Sequence, residues 1–214
     1  MKYNTYLFDF DGTLVDSMPL FASVMLKVLR ENNVKYESDI IKTITPLGYC
    51  GTANYFVDHF KLRQSAEELL ATMNKYAYDG YALNVQAKRN VFETLVELKK
   101  RGAELYVLTA SPHSVLDVCL KRLGLFELFN EVWSCDDFAT TKADPAIYAM
   151  AAKKIGKPIG EILFLDDNYN ADKTAASAGM KVCGVYDLSS AEYADEIKRV
   201  SNHYINDFCE LLDL

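Results

Sequence analysis

Residues 9–17 read DFDGTLVDS and follow directly on the apolar run Tyr6-Leu7-Phe8. The apolar run marks a buried strand, so Asp9 and Asp11 stand two apart at a strand end. Two carboxylates so placed repel each other and are costly to bury. Alone, Asp-Gly-Thr is a common turn signal. What else the chain brings to the same edge decides between a turn and a site.

Short apolar runs alternate with longer amphipathic ones. Strands are expected at Tyr3–Phe10, Glu104–Thr109, Val132–Cys135, Ile162–Asp166 and Val182–Val185. Helices are expected at Asn90–Arg101, Ser114–Leu123, Pro145–Ile155 and Ala171–Ala178. Near-continuous apolar runs such as ILFL suit strands covered on both faces. The alternation argues for an α/β fold with a doubly wound parallel sheet. Punctuation agrees: Gly102 follows the basic end KKR, Asp144 is placed to cap a helix with Pro145 first, and Gly179 can close another.

One block breaks the alternation. From Met18 to Ala82 only helical patterns occur: PLFASVMLKVLREN, ESDIIKTI, GTANYFVDHF and SAEELLATMNKYAY. The expected organisation is an α/β core of residues 1–15 and 83–214, with a small all-helical cap of residues 16–82 inserted after the first strand. Hinges are expected near Val15–Met18 and Gly80–Gln86. The last stretch, AEYADEIKRVSNHYINDFCELLDL, is expected to add a peripheral helix or two.

The chain has 214 residues, half of them hydrophobic, a formal charge of −7 and a pI near 5.0. That length can bury a sizeable core. The acidic balance argues against nucleic acid as a partner, though not against a small phosphorylated ligand. The five cysteines are widely spaced and odd in number, which fits reduced thiols better than a disulfide scaffold. No stretch approaches the roughly 20 apolar residues of a membrane span, and the start is unlike a signal peptide. A cytoplasmic protein, monomeric or weakly dimeric, is expected.

In an open α/β sheet, ligands bind beyond the carboxyl ends of the strands. Those ends carry Asp9 and Asp11, then Thr109-Ala110-Ser111, then a loop with Lys142, then Asp166-Asp167. Converging carboxylates repel unless a cation joins them. Oxygen donors with retained waters suit Mg²⁺, and a lysine with hydroxyls can neutralise a transferring phosphoryl group. One carboxylate of the first pair can attack while the other moves a proton.

DFDGT, a strand ending in Thr, K-x-x-P at Lys142–Pro145 and an Asp pair ending a strand, in this order, resemble the haloacid dehalogenase superfamily. The helical insert resembles the cap of its β-phosphoglucomutase and phosphoglycolate phosphatase branch. The resemblance implies Asp9 as nucleophile, Asp11 as general acid then base, and Lys142 as the neutralising cation. It implies Thr109 and the backbone near Ala110 as phosphoryl contacts, with Ser111 either a further contact or the cap of the helix near His113. Asp9, the Asp11 carbonyl and Asp167 would hold Mg²⁺, with Asp166, which matches the acidic first position of the pair, a further candidate metal ligand. The cap loop Leu47-Gly48-Tyr49-Cys50-Gly51 should close over the site, which makes Gly48 and Tyr49 candidate substrate contacts.

The superfamily's metal-free dehalogenases typically lack the second Asp, so Asp11 favours phosphoryl chemistry. Its sugar-phosphate mutases carry a cap loop resembling K-G-x-S-R, and residues 47–51 lack both basic positions. The expectation is therefore a Mg²⁺-dependent phosphatase acting on a small phosphorylated metabolite. A phosphosugar mutase and a catalytically idle binding module are the alternatives. Asp172 falls one residue outside the register of the last motif. It is expected in a helix's first turn, where negative charge is favourable, rather than as a ligand. His113 is expected to be a surface or rim residue rather than a base, and His59 and His203 to be structural.

Overall fold

A computed structural model of the chain describes residues 2–37, 39–44 and 47–214, except for the side chain of Lys42. Met1 of the expected core, Ser38 of the expected ESDIIKTI helix, and Thr45 and Pro46 of the expected cap lie outside the described residues. The chain divides into two compact units, Met1–Asp16 with Gln86–Leu214, and Ser17–Val85.

The first unit is a six-stranded sheet in the order β3-β2-β1-β4-β5-β6. The strands are β1 (Thr5–Phe8), β2 (Glu104–Thr109), β3 (Glu131–Ser134), β4 (Ile162–Asp166), β5 (Lys181–Val185) and β6 (His203–Ile205). Every pairing is parallel. The strand order reverses between β1 and β4, and such a switch point is where an open α/β sheet leaves room for a ligand. The doubly wound expectation holds, with strand ends displaced by one or two residues.

The tail corrects one expectation. Helix α9 (Ala194–Val200) is present, but His203–Ile205 then adds a sixth parallel strand. Asn202 splices it on: its amide donates to the Val182 carbonyl at 2.8 Å, and its Oδ1 accepts the Val182 amide at 2.9 Å. The fit is close, since a Cβ on Gly184 would lie 2.2 Å from Ile197 Cγ2 and 2.8 Å from Tyr204 Cδ2.

Between the strands lie α5 (Val91–Lys100), α6 (His113–Arg122), α7 (Ala146–Ile155) and α8 (Tyr169–Ala178). Gly102 and Gly179 follow α5 and α8 with φ of +86° and +99°, the left-handed region glycine enters without strain. Asp144 Oδ1 accepts the Ala146 amide at 2.9 Å and so caps α7. Side chains alternate across β1. Leu7 packs with Leu108, Ile147, Tyr148 and Phe164, whereas Tyr6 and Phe8 face the side where Phe8 stacks on Phe208. Truncating a buried Phe such as Phe164 to Ala typically costs about 3–5 kcal/mol.

The second unit contains α1 (Met18–Glu31), α2 (Ile40–Ile44), α3 (Gly48–Phe60) and α4 (Ala66–Leu83), and no strand among its described residues. Its own core includes Met25, Leu29, Phe56, Leu69 and Met73. Ser65 and Glu68 cap α4 reciprocally. Ser17 stands at the N-cap of α1, but its side chain makes no capping hydrogen bond. Lys27 rests over the Tyr76 ring, 3.5 Å from its centroid. Among the described residues, no helix is long and apolar enough to cross a membrane.

Candidate active site

The register of β1 against β4 builds the centre of the site. Phe8 pairs with Leu165, and the Asp9 amide donates to the Leu165 carbonyl at 2.8 Å. Asp9 therefore comes beside Asp166, the last residue of β4. The chain then turns sharply. The Leu14 and Val15 amides both donate to the Phe10 carbonyl, and the Gly12 amide donates to the Val15 carbonyl. Gly12 has φ of +75°, and a Cβ there would meet the Asp167 carboxylate at 2.5–2.7 Å. The glycine of DGT serves both the turn and the approach of Asp167.

Carboxylate oxygens of Asp9, Asp166 and Asp167 lie within 4.8 Å of one another, and all three residues are buried. One ammonium answers them. Lys142 Nζ is 2.6 Å from Asp9 Oδ1 and donates to Asp166 Oδ2 at 2.7 Å. Asp166 Oδ1 accepts the Asn168 amide, and Asp167 Oδ1 accepts the Thr13 hydroxyl at 3.0 Å. Tyr148 Oη donates to the Lys142 carbonyl and so steadies the loop that delivers the lysine.

The electrostatics follow from three buried negative groups and one positive. Burial pushes Asp9 up to about 7; Lys142 opposes the shift, and Asp166 and Asp11 add to it. Burial, then Asp166 and Asp9, hold Asp167 well above the usual carboxylate range. Lys142 is held above its usual value: burial works against its charge, but Asp166 and Asp9 outweigh it. The set is short of positive charge.

Asp172 corrects an expectation. It does lie in the first turn of α8, but it is fully buried and neither carboxylate oxygen has a hydrogen-bond partner among the described residues. Burial, then Asp166 and Asp167, push it well above the usual range.

The β2 end supplies the other edge. Thr109 is buried, and its Oγ1 accepts the Ser111 amide at 3.1 Å; Ala110 is exposed. Ser111 does not cap α6. Pro112 holds that position, with no side-chain hydrogen bond to the first amides of the helix. The Ser111 hydroxyl instead donates to Asp11 Oδ2 at 2.5 Å. His113 bridges two acids, with Nδ1 2.8 Å from Asp117 and Nε2 2.9 Å from Asp137. The structure thus brings Asp9, Lys142, Asp166 and Asp167 together, and joins Asp11 to Ser111. Gly48 and Tyr49 begin α3 in the helical unit, where Tyr49 packs on Phe21 with ring centroids 4.8 Å apart.

A family profile for haloacid dehalogenase-like hydrolases matches residues 6–185, a span that contains every one of these strand ends. The chain belongs to this family. Pyrophosphatase PpaX of Bacillus cereus (strain AH820) is 30% identical over 202 residues, covering 92% of this chain and 90% of that protein. Two solved structures show the same fold. One is a predicted phosphoglycolate phosphatase from Haemophilus somnus 129pt, with TM-score 0.83, 24% identity and coverage of 100% and 98% of the two chains. The other is a HAD family hydrolase from Deinococcus radiodurans R1 with bound phosphate and sodium, with TM-score 0.79, 21% identity and coverage of 98% and 93%.

Membership in this hydrolase family fits the strand-end acids but leaves several contacts that sequence motifs do not reveal. The Ser111–Asp11 bond joins residues 100 positions apart. Asp172 is buried on α8, an element that packs against β5 and α9, far along the chain from the motif it follows. Lys88, outside every motif, reaches the Gly12 carbonyl at 2.6 Å.

Proposed function

We propose that the chain is a divalent-cation-dependent phosphatase that hydrolyses a small phosphorylated metabolite through an aspartyl phosphate on Asp9. The observation that carries this reading is the buried Asp9 carboxylate, held by Lys142 at 2.6 Å within the three-carboxylate cluster at the sheet's switch point.

The donor set fits a hard cation. It offers only oxygens, it is short of positive charge, and Asp172 leaves two more buried oxygens unpartnered nearby. Asp9, Asp167 and the Asp11 backbone carbonyl would hold Mg²⁺, with Asp166 behind them engaging Lys142. Bound there, the cation supplies charge stabilisation to a phosphoryl group in transfer.

The protein groups carry the steps. A carboxylate oxygen of Asp9 attacks phosphorus, and the bond from phosphorus to the leaving oxygen breaks. Asp11 gives that oxygen a proton. Asp11 then takes a proton from a water that attacks the aspartyl phosphate; the bond between phosphorus and the Asp9 oxygen breaks, releasing phosphate. Lys142 neutralises Asp9 and the incoming phosphoryl oxygens. Thr109, the Ala110 backbone and the uncapped first amides of α6 offer hydrogen bonds to those oxygens. The helical unit is proposed to serve as the cap that selects the substrate, with Gly48 and Tyr49 as contacts.

Pyrophosphate as the substrate is a second reading, favoured by the 30% identity to the pyrophosphatase over most of both chains. A phosphate-release panel with Mg²⁺ separates the two. It includes sugar phosphates, phosphoglycolate and pyrophosphate, with a hexose 1-phosphate scored for isomerisation. Release from phosphomonoesters that disappears in Asp9→Asn supports the reading. An Asp9→Asn variant as active as wild type, or equal rates with and without EDTA, overturns it.

A further inference from the structure

Lys88 lies outside the four motifs, yet its ammonium is fully engaged. It donates to the Gly12 carbonyl at 2.6 Å, to the Tyr186 carbonyl at 2.5 Å and to Asp187 Oδ2 at 3.1 Å. An ammonium has three protons, so three acceptors saturate it. The side chain is largely buried, with 19% of its surface exposed. The backbone adds to the attachment: the Lys88 amide donates to the Leu14 carbonyl at 3.0 Å, and Val15 bridges to Ala87. Asp187 is itself fixed, its Oδ1 accepting from the Ser189 amide and hydroxyl at 2.9 and 2.7 Å.

The clamp grips the turn that carries Asp11. On one side Gly12 touches Asp167, and Thr13 donates to it. On the other, the carbonyl of the same Gly12 is held by Lys88. The Gly12 carbonyl belongs to the Gly12–Thr13 peptide. The Asp11–Gly12 peptide that precedes it is tied at its other face, its Gly12 amide donating to the Val15 carbonyl at 3.0 Å, so the two units of the turn are fixed together. We propose that Lys88 is a positioning residue: through the Gly12 carbonyl it holds the Asp11–Thr13 turn so that the Asp11 carbonyl and Asp167 face the cation together. This rests on the cation reading above and deepens it, naming a residue that acts without touching substrate.

Charge alone makes the opposite prediction. Removing Lys88 deletes a positive charge and leaves Asp187 unpaired, which would tighten cation binding. Positioning predicts weaker binding, of the size seen when partners that orient metal ligands are lost, about tenfold.

The test is direct Mn²⁺ binding, followed by electron paramagnetic resonance on the full chain without substrate. Lys88→Met should weaken Mn²⁺ binding about tenfold, and Lys88→Arg, which keeps donors and charge, should recover most of it. At saturating Mg²⁺, kcat should still fall while KM for substrate stays put. Should Lys88→Met fail to fold, Lys88→Gln, with two donors and no charge, goes through the same titration and should lie between. Unchanged or tighter Mn²⁺ binding in the neutral variants overturns the proposal. The control is Asp167→Asn. If it loses Mn²⁺ while Lys88→Met keeps it, the positioning role alone falls. If it binds as wild type, the cation reading falls and takes the positioning role with it.

Discussion

Gly12 stands against Asp167 with no room for a side chain: a Cβ on Gly12 would lie 2.5 Å from Asp167 Oδ2 and 2.7 Å from Cγ and Oδ1. Two penalties therefore combine in Gly12→Ala. A non-glycine residue at φ +75° costs on the order of 1–2 kcal/mol. The Cβ must also push the carboxylate away from Asp9. Gly12→Ala should lose more than about 100-fold in phosphate release while unfolding only a few degrees earlier. A rate within threefold of wild type would show that Asp167 need not stay where Gly12 admits it.

Protons and a cation should compete for the three carboxylates. Asp9 is pushed up to about 7 from its usual 3.8, so the folded state holds a proton that the unfolded state has released. Between those values folding binds protons, and stability from this group falls as pH rises through the window. On the proposed function, a bound cation would take over the proton's task. Added Mg²⁺ should raise the melting temperature more at pH 8 than at pH 5.5. Lys142→Met should steepen the loss, since it strips the ammonium from two buried carboxylates at a cost of roughly 3–5 kcal/mol near neutral pH. Its urea midpoint should recover on acidification. A Mg²⁺ effect independent of pH would contradict the account.

Five strands were legible because their apolar runs are dense, and because four of them are followed by acids, hydroxyls or a lysine in a fixed order. β6 was not, because His203-Tyr204-Ile205 is three residues long and two-thirds polar or amphipathic. Its parallel pairing with β5, begun by Asn202 on Val182 and continued to the Tyr186 amide on the Ile205 carbonyl, makes it a strand. The site divides in the same way. Asp9, Lys142, Asp166 and Asp167 are each announced by the strand they end or the loop they sit in. Asp172 falls in the first turn of α8 as expected, but its burial among other carboxylates was not legible, because helix position shows in sequence and burial does not. The Ser111–Asp11 and Lys88–Gly12 contacts were hidden because the partners lie 100 and 76 positions apart; the parallel pairing of β1 with β2 brings the first pair together, and the antiparallel bridge of Val15 with Ala87 the second.

The Ser111 hydroxyl offers a narrow test of how Asp11 is held. It donates to Asp11 Oδ2 at 2.5 Å, and a hydrogen bond to a charged group is typically worth about 1.5–3 kcal/mol. Ser111→Ala removes this bond and, on the proposed mechanism, loosens the hold on the group that would protonate the leaving oxygen. kcat should fall about tenfold with KM little changed, and Ser111→Thr should restore most of it. If KM rises and kcat holds, Ser111 serves the phosphoryl group rather than Asp11.

His113 ties the β2 loop to the segment after β3, and that tie should depend on pH. Its hydrogen bonds to Asp117 and then Asp137 raise it above its usual 6.5, while burial opposes them weakly. Asp137 is lowered: burial pulls upward, but bonds from His113 and the Ser134 amide outweigh it. For a raised histidine, the stabilisation is complete below pH 6.5 and fades as pH climbs through the folded value. For the lowered Asp137 it is complete above the usual carboxylate range and fades only in acid. The pair should be strongest between those limits. The His113 side chain is 41% exposed, so screening holds the whole contribution below about 1 kcal/mol. His113→Gln should therefore melt about 1–3 °C below wild type at pH 6, and the gap should close by pH 8.5. An equal gap at both pH values would show that packing, not the imidazolium, holds the two loops together.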